Sequence, residues 1–400
     1  MSVSQIIILL LIGYIVFTID KKQKNFPVPV ILLLIGIGLS FIPYFSNVDV
    51  TKEVLYDVFL PGLLFVSAYR FSPTALRKNA GIIASLSTLG LIVTTILLGG
   101  AIYWVSGWFV DLSFVGALVI AAILTPTDPV SVVSILKQSS NDSKVADVVD
   151  GESMINDGTS VVLYTVLVGI FIEDRSFSMI SFLSEFLYTA LGGAVLGLVI
   201  GWLFSKAVHI THHKDYQVML SIIISYGVFH IAEHLGLSGV LATVAAGVML
   251  SWEFKHTNKE DHYQEALDGF WGVVEPTILT LLFLLIGIVT TDHLDFQYWS
   301  LAVIVFVASL VVRFIVIFGT TQIFQGWRQQ ISWKTASLIT WAGIRGTVSV
   351  VLVLSLQEKA TKEMDILLSL SFAVVVLSLT IQSLGIYPLS RRLSTNKKEE

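Results

Sequence analysis

Long apolar stretches separated by short polar segments repeat along almost the whole chain. Most are close to the roughly 17–25 residues with which a helix crosses about 30 Å of hydrocarbon. The pattern predicts an all-α integral membrane protein with about 13 transmembrane helices. The predicted spans cover residues 4–19, 27–45, 54–70, 80–107, 112–136, 146–172, 180–206, 217–235, 237–253, 269–290, 299–324, 333–356 and 366–390.

The composition agrees with a lipid bilayer as the main solvent of this chain. Of its 400 residues, 54% are hydrophobic and only 13% are charged, which is far from the balance of a water-soluble domain. The absence of cysteine excludes disulfides and thiolate chemistry. We expect no cofactor. We also expect no nucleic-acid partner, because the basic residues follow the loop pattern described next.

The lysines and arginines are unevenly distributed between the two sets of loops. Eighteen of the 24 lie in loops that follow odd-numbered spans, and four lie in loops that follow even-numbered spans. Basic residues accumulate on the cytoplasmic side of a membrane. This predicts a multi-pass protein of the cell membrane (plasma or inner membrane), with its N-terminus outside and its C-terminus in the cytoplasm. The remaining two, Arg313 and Arg345, lie inside predicted spans.

Two of the predicted spans are interrupted. The fifth contains Thr-Pro-Thr-Asp-Pro at residues 125–129, and the twelfth, seven spans later, contains Gly-Ile-Arg-Gly at residues 343–346. Six helices, a linker helix and six more would bring the second half into the membrane from the opposite side. Corresponding interruptions in two such halves indicate the binding site of a transporter. We therefore predict two inverted six-helix repeats with discontinuous, crossing helices 5 and 12.

The first interruption has a specific physical cause. Pro126 and Pro129 each remove a backbone donor and push the preceding residue out of helical dihedrals. The span should therefore split into two half-helices around Thr127 and Asp128. Such irregular backbone persists at membrane depth only where protein or a water-filled cavity satisfies it. A carboxylate between the two prolines favours a cation site over a simple kink.

A second polar cluster lies in the sixth span. Ser153, Asn156 and Asp157 are three or four residues apart, so they share one face of a helix. Together with Asp128 and the Thr127 carbonyl they supply hard oxygen ligands. Such ligands suit protons and hard monovalent cations such as Na⁺, Li⁺ and K⁺.

Three carboxylates at membrane depth cannot all remain ionised and unpaired. Glu152 lies beside the polar face, and Arg313 lies midway through the eleventh span, far from either interface. We expect Glu152 and Arg313 to form a structural ion pair. Asp128 and Asp157 are then left to bind the transported cation.

These motifs, together with Ser-Gly-Val-Leu-Ala at residues 238–242, resemble those of the monovalent cation:proton antiporter-1 family. This family comprises the bacterial and archaeal Na⁺/H⁺ antiporters, which are related to animal sodium/proton exchangers. The resemblance covers essentially the whole chain and includes the number of spans. It implies a secondary active antiporter that exchanges Na⁺ (or Li⁺) for H⁺ by alternating access.

The resemblance also implies roles for individual residues. Asp157 would be the essential carboxylate that binds cation and proton in turn. Thr127, Asp128 and Ser153 would help to coordinate the cation, and Asn156 would lie beside them and orient Asp128. Family members with asparagine just before the ion-binding aspartate are generally electroneutral, which implies the exchange of one cation for one proton.

A moving bundle and a homodimer are implied by the same resemblance. The ion-carrying bundle would comprise approximately residues 80–172 and 299–390. It would move against a dimerisation unit of approximately residues 1–70 and 180–290. Arg345 would stabilise the second helix break.

One position departs from the family pattern. After Phe270 and Trp271 the chain has Gly272, where relatives often carry an acidic residue, and Glu275 follows slightly later, before Pro276. We interpret Glu275 as a group at the start of a helix.

Other interpretations compete with Na⁺/H⁺ exchange. A K⁺/H⁺ antiporter of the same fold would use the same ligands. An intramembrane aspartyl protease could share one proton between Asp128 and Asp157, but the Gly-x-Gly-Asp motif of those enzymes is absent, so we expect a transporter and not an enzyme. His230, Glu233 and His234 match a zinc-peptidase pattern. No third ligand accompanies them in the sequence, and capping of a helix end is the simpler use.

Overall fold

The computed structural model describes most of the chain, and its described part is almost entirely helical. The described residues are 2–20, 28–45, 48, 53–128, 143–173, 179–208, 213–256, 261–293, 296–323, 325–328, 331–358 and 362–394. Among them, eight helices are long and apolar enough to cross a membrane, and three shorter helices are also apolar. The predicted all-α membrane fold is confirmed, while the number of spans and the inverted repeat stay predictions.

Sixteen helices of this part of the chain are numbered here in order. They are α1 (Val3–Asp20), α2 (Val28–Ser40), α3 (Leu60–Arg70), α4 (Pro73–Ser85), α5 (Leu91–Ser106), α6 (Phe114–Ile123), α7 (Ser143–Glu173), α8 (Met179–Val208), α9 (Lys214–His234), α10 (Gly239–His256), α11 (Asp261–His293), α12 (Trp299–Ile323), α13 (Trp333–Ala342), α14 (Thr347–Leu354), α15 (Lys362–Leu377) and α16 (Ser383–Ser394). Three π-helical turns, Val54–Phe59, Leu86–Gly90 and Ser378–Gln382, lead into α3, join α4 to α5, and join α15 to α16. Short helical segments lie at Phe296–Tyr298, Gln325–Arg328 and Ser355–Glu358.

Two helices begin well before the positions that the hydrophobic pattern predicts. α4 begins at Pro73, where the Ser72 hydroxyl accepts the N–H of Ala75 as an N-cap. α11 begins at Asp261, well before the predicted start at residue 269. Its first turns carry charged residues, and a hydropathy window discounts those positions although they are helical. The part of the fifth predicted span that follows Asp128, including Pro129, lies outside the described residues.

Glycine allows several helices to approach one another closely. A Cβ at Gly197 on α8 would overlap the backbone of Ala242 on α10, and one at Gly287 on α11 would overlap the carbonyl of Leu33 on α2. Such close backbone contact is a common way to pack helices in a membrane, where lipid removes most of the hydrophobic driving force.

The two interrupted segments lie in the centre of the molecule. The end of α6, from Val119 to Ile123, the adjoining Leu124 and all of α14 are buried. α6 packs against α5, α7, α14 and α15. The polar backbone at the interruptions is therefore surrounded by protein and kept from lipid, as irregular backbone at membrane depth requires.

Candidate functional site

The two interruptions lie against each other. α6 ends at Ile123 and α13 ends at Ala342. Beyond these ends, the N–H of Asp128 donates to the carbonyl of Ile344 at 2.7 Å, in an isolated antiparallel bridge. Each broken segment thus satisfies part of the backbone of the other. The bridge fixes Asp128 at the point where the two segments meet.

Arg345 binds the carbonyl ends of both half-helices. This fully buried side chain donates from Nε to the Leu124 carbonyl at 2.9 Å and from Nη1 to the Gly343 carbonyl at 2.7 Å. Its own N–H donates to Ser378 Oγ at 2.9 Å. The C-terminal carbonyls of α6 and α13 form the negative ends of these helices, so the guanidinium lies where a positive charge is most favourable.

Two residues of this crossing were missed by the sequence reasoning. Gln382 is buried and donates from Nε2 to the carbonyls of Trp341 (2.8 Å) and Gly343 (3.3 Å). Thr347 donates from Oγ1 to Asp128 Oδ2 at 3.3 Å. A lone amide in an apolar span, and a hydroxyl directly after the second break, were the signals that could have identified them.

Asp128 and Asp157 line the same cavity. Its volume is about 60 Å³, which is room for a few water molecules or a partly hydrated ion. Both side chains are partly exposed to it, and its lining also includes Thr127 and Ser153. Four of the five residues predicted to bind the cation therefore face one space inside the protein.

Asn156, the fifth predicted ligand, lies on α7 and connects this helix to the first break. Its Nδ2 donates to Thr127 Oγ1 and to Glu152 Oε1, both at 3.0 Å, and Ser153 Oγ donates to the Thr127 carbonyl. Both amide hydrogens of Asn156 are thereby used. Asn156 therefore holds Thr127, the residue that precedes Asp128.

Glu152 and Arg313 form a buried ion pair behind the cavity. Arg313 Nη2 lies 2.9 Å from Glu152 Oε2, and the two side chains are only 8% and 7% exposed. The other carboxylate oxygen of Glu152 accepts from Asn156. Removing one partner of such a pair typically costs about 3–5 kcal/mol, because it leaves an uncompensated buried charge. Both oxygens of Glu152 are occupied, whereas the two aspartates face the cavity.

Glu275 lies in the interior of a helix, so its interpretation as a group at the start of one is wrong. α11 begins at Asp261, and its first turns extend the helix well ahead of this residue. The Glu275 carboxylate lines the cavity of the two aspartates and forms an ion pair with Arg70, the last residue of α3.

The zinc-peptidase pattern coincides with a helix cap. Glu233 Oε1 accepts the N–H of Gly239, the first residue of α10, at 2.8 Å, and the Tyr56 hydroxyl at 3.3 Å. Among the described residues, no group of three or more His, Asp or Glu side chains is arranged to hold a metal ion. Glu233 thus satisfies a helix terminus.

Comparison with known proteins gives a consistent result along the whole chain. Residues 6–392 match the family model described as the sodium/hydrogen exchanger, transmembrane. The chain belongs to the sodium/hydrogen exchanger family. This confirms the resemblance found in the motifs. The family consists of membrane transporters and not of enzymes, and its members cross the membrane several times.

Individual relatives of this exchanger cover nearly its full length. The Na⁺/H⁺ antiporter NhaH of Halobacillus dabanensis is 31% identical over 97% of both chains. The Na⁺/H⁺ antiporter NhaP of Pseudomonas aeruginosa is 33% identical over 86% of this chain and 81% of its own. The structure of the sodium proton antiporter MjNhaP1 from Methanocaldococcus jannaschii matches with a TM-score of 0.79 at 19% identity and covers 98% of both chains. This likeness supports the same fold.

Proposed function

We propose that this protein exchanges Na⁺, or Li⁺, for H⁺ across the cell membrane, one for one, by alternating access. One observation carries the proposal beyond family membership. Asp128 and Asp157 share a small cavity at the crossing of two interrupted helices. Carboxylates at the junction of two interrupted helices are typical of the ion-binding sites of secondary transporters.

The proposed cation site uses oxygen ligands from both elements. The carboxylates of Asp128 and Asp157 would bind Na⁺, assisted by the Thr127 carbonyl and the Ser153 hydroxyl. These are hard ligands for a hard cation. Asn156 holds the Thr127 side chain in place. Because Glu152 is neutralised by Arg313, the net charge available to the ion comes from the two aspartates.

Competition at Asp157 couples the two fluxes. An ionised carboxylate in a cavity of this size is poorly solvated, so it is stabilised by binding either a proton or a cation. The bundle would reorient when Asp157 carries one of them and would resist reorientation when it carries neither, because a bare charge would then cross an apolar barrier. Exchange follows without ATP, driven by whichever gradient is larger.

We further infer that the helices form two structural units and that the protein has a defined orientation in the membrane. An ion-carrying bundle, approximately residues 80–172 and 299–390, would move against a dimerisation unit, approximately residues 1–70 and 180–290, in a homodimer. The uneven distribution of lysine and arginine supports an external N-terminus and a cytoplasmic C-terminus.

Transport in proteoliposomes tests the function directly. Addition of Na⁺ or Li⁺ should dissipate an imposed pH gradient, at a rate that does not change when a membrane potential is applied. Because protons and Na⁺ compete for Asp157, the apparent KM for Na⁺ should rise as the pH falls, approaching about tenfold per pH unit where the proton-bound form dominates. A KM independent of pH, or a rate that follows the potential, would contradict one-for-one competition. Exchange of K⁺ without Na⁺ would identify a K⁺/H⁺ antiporter.

Gly346 offers a test of the crossing geometry. A methyl group at this position would overlap the side chain of Asp128. We expect Gly346→Ala to displace the carboxylate and to lower the exchange rate by roughly tenfold or more. Gly319→Ala on α12 is the matched control, since nothing lies within 4 Å of a Cβ there, and it should leave the rate unchanged. Equal rates in both variants would mean that the position of Asp128 is not critical.

A further inference from the structure

A second charged pair lies at the edge of the cation cavity. Arg70, at the end of α3, is paired with Glu275, inside α11. Glu275 lines the cavity that contains Asp128 and Asp157. Arg70 lines an adjoining pocket of about 250 Å³, whose lining also includes Asp268. The pair therefore stands between the cation site and a larger pocket.

The exposure of this pair distinguishes it from the structural ion pair behind the site. The side chains of Arg70 and Glu275 are 39% and 23% exposed, against 8% and 7% for Arg313 and Glu152. A partly hydrated pair contributes little to stability and separates easily, because water replaces the lost contact. A buried pair separates less easily, because each charge would then be left without compensation. Arg70 and Glu275 can therefore separate and re-form during a transport cycle.

Arg70 packs against the face of α11 that carries Glu275. Gly272 precedes Glu275 by three residues, so both lie on the same face of the helix. A Cβ at Gly272 would lie 3.9 Å from Arg70 Nη2. The Arg70 guanidinium thus lies against the stretch of α11 that carries Glu275.

The charges at this edge have opposite effects on an approaching cation. Arg70 alone would repel it, whereas Glu275 alone would attract it and hold it a short way from the two aspartates. While the pair is closed, the two effects largely cancel. A monovalent cation that binds Glu275 must replace the guanidinium, which then faces the larger pocket that Arg70 lines.

We propose that Glu275 is a transient binding site for the transported cation, and that Arg70 competes with the cation for this carboxylate. The proposal rests on the exchange function proposed above and adds a residue pair that sets the apparent affinity. Na⁺ arriving from the larger pocket displaces Arg70 from Glu275 and then moves to Asp128 and Asp157. Arg70 returns to Glu275 once the carboxylate is vacated.

The test is the Na⁺ dependence of exchange in proteoliposomes, measured separately from each side of the membrane. From the side on which Arg70 lies, Glu275→Gln should raise the apparent KM for Na⁺ roughly tenfold, because an unpaired guanidinium then faces the approaching ion. Arg70→Gln should lower it severalfold, because the competitor is gone. The change in KM should exceed any change in the maximal rate, because neither residue holds the ion at Asp157. Glu185→Gln, at an exposed position on α8, is the matched control and should behave as the unmodified protein does.

A charge exchange separates this role from a purely structural one. In the double variant Arg70→Glu with Glu275→Arg the ion pair can form again, but its positive partner now faces the cavity. We expect the KM to stay raised. A KM restored to the unmodified value would show that the pair is only a clamp and would overturn the proposal, as would an unchanged KM in both single variants. If the unmodified protein exchanges no cation at all, the proposed function fails and this proposal with it. If the unmodified protein exchanges Na⁺ normally and both single variants keep its KM, the proposed role of Glu275 and Arg70 is wrong while the proposed exchange function stands.

Discussion

Asp157→Asn should reduce Na⁺/H⁺ exchange to the level of protein-free liposomes, a loss of more than roughly a hundredfold. The amide is close to the carboxylate in size, so the helix and the cavity lining should be preserved. It cannot take up a proton in the pH range of transport, and it brings no negative charge to balance a bound cation. The variant therefore loses both occupants that the mechanism requires. The measurement is dequenching of a pH-sensitive dye after addition of Na⁺.

Two controls separate loss of chemistry from loss of folding. Asp215→Asn makes the same chemical change at an exposed position in the first turn of α9, and it should exchange normally. Size-exclusion profiles in detergent should be the same for both variants. Retained exchange driven by a pH gradient in Asp157→Asn would remove Asp157 from the centre of the mechanism.

Glu152→Gln should produce the largest loss of stability among the charged residues of the site. The substitution leaves Arg313 without its counter-charge in a position where its side chain is 8% exposed. We expect the free energy of unfolding to fall by about 3–5 kcal/mol, because a buried guanidinium loses its partner. Thermal unfolding in detergent, followed by tryptophan fluorescence, measures the effect.

Two further variants test this explanation. Glu275→Gln breaks a pair that is partly exposed, so it should cost no more than about 1 kcal/mol. The double variant Glu152→Gln with Arg313→Met removes the orphaned charge and should recover much of the stability that Glu152→Gln loses. An equal loss in the two Glu→Gln variants, or no recovery in the double variant, would show that burial of the Glu152–Arg313 pair is not what stabilises the site.

Much of the fold was predictable because the bilayer constrains the sequence strongly. Apolar stretches long enough to span hydrocarbon identified most helices, and Pro126 identified the first break from elementary backbone chemistry. The partnership of Glu152 and Arg313 was predicted from charge balance alone, and the structure brings the two side chains together. In each case one unfavourable free-energy term, from either an unsatisfied backbone group or an unpaired charge, excluded most other structures.

The contacts between the two halves of the chain were not predictable in the same way. The bridge between Asp128 and Ile344, and the binding of the Leu124 carbonyl by Arg345, join residues that are distant in sequence. A single sequence contains no local signal for such pairings. Gln382 was missed because it is one polar residue in an apolar span, and its partners become visible only when the half-helices are placed side by side.

The misinterpretation of Glu275 has a different cause. A hydropathy window placed the start of its helix at residue 269, close to this carboxylate. The helix in fact begins at Asp261 with charged turns that the window discounts. Helix formation depends on backbone geometry and propensity, whereas hydropathy reports only the part of a helix that lies in lipid. Glu275 therefore lies in the interior of α11, where it lines the cation cavity, and not at the start of the helix as the hydropathy pattern had suggested.

Proton release on Na⁺ binding is the most direct measurement of the central claim that one carboxylate takes either occupant. Purified protein in weakly buffered detergent solution should release close to one proton for each Na⁺ bound, at a pH where Asp157 is protonated, and Asp157→Asn should release none. Saturable binding of Na⁺ to the unmodified protein without proton release would contradict the account.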